Sequence, residues 1–248
     1  MSIQIIKKDD QAYGAFNGGE IVENKPIGFP REGGPTKPYS NLFYWANASA
    51  QVDSTIGLHP HQGFEIMSFV LEGTIRHYDT QLKDWKNLKK GDVQIIRAGQ
   101  GISHAEHMTK GSRMFQIWVD PNLKKTMQQP ASYSDYVANA IPNSSEGDLQ
   151  ILHYAGDNGI MQLDTENITI QRWKLDGSHH INDTSKIHSL YVLNGSTTVN
   201  SNMAEKDDFI IIQDEAVTLE GTCELFVISS PSQLSYQTYG EMMQEKVV

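Results

Sequence analysis

The sequence predicts an all-β protein built from two successive β-barrels, and three observations carry that reading. Short runs rich in Val, Ile, Phe and Tyr recur along the chain, each bounded by Gly, Asn or Asp. FEIMSFVLEG, DVQIIRAGQG, MFQIWVDP, SLYVLNGS, DFIIIQDE and ELFVISS all read as strands. Amphipathic helical patterns are few, the best being Ser132 to Asn139 and the tail from Gly240. Finally, two segments repeat in order. SFVLEGTI (68–75) aligns with LYVLNGST (190–197), placing Gly73 over Gly195, and KKGDVQII (89–96) aligns with EKDDFIII (205–212). Many short strands with regular turns indicate a sandwich or barrel, and the repeat indicates two of them. Pro, Ser, Asn and Gln concentrate between Pro121 and Gly147, which places the linker there. The expected domains are 1–130 and 131–248.

Composition narrows the function. The chain has 248 residues, 20 Lys and Arg against 30 Asp and Glu, and a formal net charge of −10. That average field repels a phosphate backbone, and no basic cluster exceeds pairs such as Lys89–Lys90, so direct nucleic-acid binding is not expected. No apolar run approaches the ~20 residues of a membrane-spanning helix. The opening MSIQIIKKDD lacks a basic region followed by a long apolar stretch, so a secretory leader is not expected. Cys223 is the single cysteine, which excludes an intrachain disulfide and fits a cytoplasmic protein.

Two compact motifs carry the chemistry. GLHPHQGFE holds His59 and His61, and AGQGISHAEH holds His104 and Glu106. Side chains two apart on an extended strand share a face, so each motif can offer two donors to one ion. Antiparallel strands facing across a small barrel would assemble three imidazoles and one carboxylate. That donor set suits Fe, Mn, Ni, Cu, Co or Zn. His107 should point the other way along its strand. Glu65 takes a supporting or structural role, and Gln94 and Gln116 face either the cavity or solvent. The second half has adjacent His179 and His180, which diverge on a strand, and His188. It has neither a His-x-His nor a His-x-Glu, so it is expected to lack a metal site.

HPHQGFEIMSFVLEGTIRHYDT, GDVQIIRAGQGISHAEH and FQIWVDP resemble consecutive segments of the pirin family, within the cupin superfamily. The resemblance is close over residues 57–121. It implies a bicupin of two jelly-roll barrels, with His59, His61, His104 and Glu106 holding one divalent metal ion, usually iron. His77 and Asp79 in RHYDT resemble a family motif and are expected to support the barrel. The upstream stretch KPYSNLFYWANASAQ lacks the Asp-Pro-Phe run often found in the family, which bears on substrate choice. The resemblance implies quercetin 2,3-dioxygenase activity: O2-dependent ring opening of a flavonol, with Glu106 as general base. A second implication is a non-catalytic, metal-dependent regulatory or redox-sensing module that binds a protein partner. A metal-dependent isomerase or hydrolase is a third, since one fold hosts many reactions.

Overall fold

The structure is a computed structural model and describes residues 2–29 and 31–245. Strands dominate it. The helices over the described residues are short: Leu123–Thr126, Tyr239–Glu245 and three single 3₁₀ turns. No helix among the described residues is long and apolar enough to cross a membrane.

The chain divides into two compact units. Gln11–Ala140 and the residues from Ser235 form one; the residues up to Asp10 and Ile141–Leu234 form the other. This corrects the contiguous division at 130/131 in two ways. The break lies at 140/141, because Ser132–Tyr136 pairs with Val93–Arg97 and extends the first barrel. Each terminal segment also joins the unit formed by the other half of the chain. Ile3–Ile6 pairs with Phe209–Ile212, and the Asp120 carboxylate accepts the Gly240 backbone N–H at 3.0 Å. Ser132–Tyr136 is therefore a strand, where a short helix was expected, whereas the tail is helical as expected.

The first unit has two antiparallel sheets. Seven strands run in the order Ser132–Tyr136, Val93–Arg97, Glu65–Glu72, Arg113–Val119, Leu42–Ala50, Ile21–Ile27 and Ala12–Phe16. The other four run Ser54–His61, Ile102–Met108, Thr74–Asp79 and Trp85–Lys89. Glu65–Glu72 lies inside the larger sheet and is buried on both faces up to Leu71, which explains its nearly unbroken apolar run. Val70, Ile75, Leu88, Met108 and Met114 pack into one core cluster. Each such side chain contributes ~1.5–3 kcal/mol by leaving water.

The second unit is a single sheet of eight strands, again antiparallel throughout, around a core that includes Leu190, Val192, Ile210, Leu219 and Leu225. The repeat seen in the sequence is visible in the backbone. Gly73 and Gly195 both adopt positive φ, at 71° and 73°, and so do the aligned Gly91 and Asp207, at 90° and 70°. A Cβ on Gly195 would sit 2.2 Å from the Thr222 carbonyl oxygen. Gly195→Ala is therefore expected to cost ~2 kcal/mol or more, from the left-handed conformation plus the clash, read as a lower urea midpoint.

Candidate metal centre

The two histidine motifs lie on neighbouring strands of the four-stranded sheet. Ser54–His61 is the edge strand, which tolerates Pro60 because its missing N–H costs no ladder bond there. It pairs with Ile102–Met108 so that His104 stands directly opposite His59. The expected strands facing across the barrel are thus hydrogen-bonded neighbours, and the histidines meet side by side on one face. The register shifts between His104 and Glu106, leaving Gly57 and Leu58 opposite Ala105. Bulges of this kind re-aim side chains near functional sites. Here the shift also supplies a partner. The Gly57 carbonyl accepts a bond of 2.7 Å from His59 Nδ1–H, which leaves the Nε2 lone pair of His59 free.

His59, His61 and His104 each bring a ring nitrogen into one group whose atoms all lie within 4.8 Å of one another. His61 Nε2 and His104 Nε2 are 3.0 Å apart. Two nitrogens about 2.1 Å from a shared ion and at right angles around it would be separated by about 3.0 Å, so this spacing fits a first-row metal. Burial, and then the neighbouring imidazoles His104 and His59, push the His61 pKa down to about 3. Burial pushes His104 well below the ordinary histidine value. Both rings are therefore neutral at physiological pH, the form that donates to a metal.

Glu106 stands outside this trio of mutually close atoms. It is fully buried, and the opposite sheet grips its carboxylate. Ser68 Oγ donates to Oε1 at 2.8 Å, Gln116 Nε2 donates to Oε2 at 2.5 Å, and Gln94 Nε2 lies 3.5 Å from Oε1. Gln94 and Gln116 thus face the interior, which settles the two directions left open by their strand pattern. His77 and Asp79 are also completely buried; they lie opposite Glu106 and His104 on the adjoining strand. His77 Nε2 bonds to Asp79 Oδ2 at 2.7 Å.

Around this core, Trp118 meets His61 edge-on, with ring centroids 4.7 Å apart, and Phe64 packs on Trp118. Beside His61 an open groove of about 510 Å³ is lined by Gln62, Thr80, Gln100 and Ser103, among others. Sequence reasoning missed Ser68, Trp118 and Tyr133. Their only signal is parity with Gln94 and Gln116 across the sheet, which appears once the register is known. Glu65 sits apart, with Oε1 3.8 Å from Arg97 Nε. His107 faces away as expected and shares a bond with Thr55 Oγ1. In the second unit His179 packs on Trp173, His180 bonds Thr218, and His188 bonds Ser229 and the Asp183 carbonyl. Among the described residues the His59–His61–His104 group is the one cluster suited to a metal.

Residues 29–119 match the Pirin family model. An Escherichia coli K12 protein named quercetin 2,3-dioxygenase is 27% identical over 170 residues, 64% of this chain and 68% of that protein. A Zymomonas mobilis protein provisionally given the same name is 31% identical over 121 residues, or 48% of this chain and 51% of that protein. The chain thus spans about half the length of this second relative. Among solved structures, the Escherichia coli pirin YhhW in complex with nickel(II) superposes with a TM-score of 0.77 at 22% identity, covering 93% of this chain and 100% of that one. Shared segments and a shared two-barrel architecture lead to one conclusion: the chain has the bicupin fold of the pirin structures, and its residues 29–119 carry a Pirin family domain.

Proposed function

We propose that this protein is a metal-dependent dioxygenase that opens the ring of a flavonol such as quercetin, with His59, His61, His104 and Glu106 as the metal ligands. The observation that carries the reading is the convergence of three imidazoles beside a buried carboxylate, at the edge of an open groove. The names of the Escherichia coli and Zymomonas relatives supply the substrate class and, with it, O2 as co-substrate. Iron is the metal we assign from the family. Nickel is the ion named for the YhhW complex, and the same donors suit Mn, Cu, Co or Zn. When bound, the ion would supply Lewis acidity to a substrate hydroxyl and redox contact with O2.

The chain's own residues do the rest. Gln62, Gln100, Ser103 and Thr80 line the groove with amide and hydroxyl groups suited to a polyhydroxylated ring system. Trp118 and Phe64 give an aromatic wall next to His61. Glu106 takes the proton of the substrate 3-hydroxyl at Oε1, the oxygen whose partner, the Ser68 hydroxyl, can rotate from donor to acceptor. A cytoplasmic location suits a protein whose one cysteine is buried and unpaired.

Aerobic incubation of iron-loaded protein with quercetin tests the reading, by following flavonol absorbance and product mass. The expected result is loss of the flavonol band with both atoms of O2 in the product. No consumption by fully loaded wild-type protein would remove the enzyme and leave the metal-dependent module that binds a protein partner.

A further inference from the structure

Glu106 is held by amides, and an amide can present either its donor or its acceptor end. Whichever group fixes the amide therefore decides whether the carboxylate meets an N–H or a repelling oxygen. Two chains of contacts lead away from Glu106, and each ends on a group that leaves no choice. In the first, Trp118 Nε1 lies 3.3 Å from Gln116 Oε1. An indole nitrogen only donates, so Gln116 must turn its oxygen to Trp118 and its NH2 to Glu106 Oε2, which it meets at 2.5 Å. In the second, Asp79 Oδ1 accepts the backbone N–H groups of Gln81 and Leu82, both at 2.7 Å, so Asp79 is a fixed acceptor. It takes the Nε2–H of His77 on Oδ2, and the Nδ1 lone pair of His77 then faces Gln94 Nε2 at 3.3 Å. That contact needs the NH2 end of Gln94. The same NH2 reaches Ser68 Oγ at 3.1 Å, and the Tyr133 hydroxyl reaches Gln94 Oε1 at 3.2 Å, which is consistent from the other end.

We propose that Trp118 and the His77–Asp79 pair are positioning residues for Glu106, acting through Gln116 and Gln94 so that only N–H and O–H groups face its carboxylate. This rests on the reading of Glu106 as a ligand of the metal centre. It also gives RHYDT a role beyond supporting the barrel: Asp79 sets the tautomer of His77, and the tautomer sets an amide. The two amides that meet the carboxylate lie on the sheet opposite Ile102–Met108; the first chain ends on that sheet at Trp118, and the second returns to Thr74–Asp79, the strand beside Glu106. A metal ligand held in this way loses affinity when its outer partners are removed, typically by 10–100-fold.

Co(II) titration of the full chain, with visible absorbance as the readout of coordination, separates orientation from packing. Trp118→Phe keeps an aromatic ring at the position beside His61 and removes the N–H together with part of the indole, which frees Gln116 to turn. A packing loss lowers the melting temperature without metal but does not by itself alter the spectrum of the bound ion. The expected result is about tenfold weaker Co(II) binding with an altered spectrum. Gln116→Leu should do the same. The double variant should be no worse than Gln116→Leu alone, because the indole N–H acts only through that amide. His77→Phe and Gln94→Leu should be non-additive in the same way. Independent, additive losses in both cycles, or wild-type affinity and spectrum in Trp118→Phe, would overturn the proposal while leaving the metal centre standing. Wild-type protein that binds no Co(II) would instead remove the centre on which the proposal rests.

Discussion

His61→Ala should abolish tight metal binding, whereas His179→Ala and His180→Ala should leave metal content at the wild-type level. His61 supplies one of three converging nitrogens and lies 3.0 Å from a second, so its loss removes a corner of the site. The expected fall in affinity exceeds the roughly 10–100-fold that follows loss of a partner one step removed from the metal. His179 packs on Trp173 and His180 bonds Thr218, so neither substitution reaches the centre. The same variant should change the acid response of the metal-free protein. The His61 pKa falls from 6.5 to about 3 on folding, because its ring is buried beside two other imidazoles. Between those values the unfolded chain binds the proton that the folded one refuses, so stability rises with pH across the window. Its contribution is complete above the unfolded value and is lost as pH falls toward about 3. Metal-free His61→Ala should therefore lose less stability than wild type between pH 7 and pH 4, measured by urea unfolding at each pH. An equally steep loss would place the acid sensitivity elsewhere.

Glu106→Gln should keep part of the metal affinity and lower flavonol turnover by ~10²–10⁴-fold, the usual range for removing a general base. The surroundings of Glu106 also predict how the amide will lie. Gln116 presents an N–H to Oε2, so the new side chain should keep its oxygen there and turn its NH2 to Ser68, which can accept, with the Gln94 NH2 3.5 Å away as the one opposing donor. The fold should then survive with little rearrangement, and the kinetic loss can be read as lost proton transfer. Wild-type turnover in a metal-loaded Glu106→Gln variant would show that the substrate proton goes elsewhere.

The all-β class, the repeat and both histidine motifs were legible because they depend on local pattern. Val-rich and Ile-rich runs mark strands wherever they pair, and the aligned Gly73 and Gly195 share a backbone conformation that few other residues adopt. Parity paired His59 with His61 and His104 with Glu106; joining the pairs in one site came from the resemblance to the pirin family, and the strands that carry them are neighbours instead of facing across the barrel. Pairings distant in sequence left no such trace. Nothing in MSIQIIKKDD announces that Ile3–Ile6 pairs with Phe209–Ile212, and nothing in SYSDY distinguishes a strand beside Val93–Arg97 from a short helix. The same limit hid the surroundings of Glu106. Ser68, Gln94 and Gln116 lie on three different strands, and they meet only because Ser68 is in register with both glutamines. The one-residue shift beside His104 was illegible too, since a bulge depends on the partner strand as much as on its own residues.

Crystals of the protein loaded with iron or nickel, measured at the absorption edge of the metal, would locate the ion among its ligands. One anomalous peak per chain is expected, within about 2.0–2.3 Å of ring nitrogens of His59, His61 and His104, with the Glu106 carboxylate completing the protein ligands. A peak bound elsewhere, or fully loaded crystals with no peak between these three histidines, would contradict that assignment.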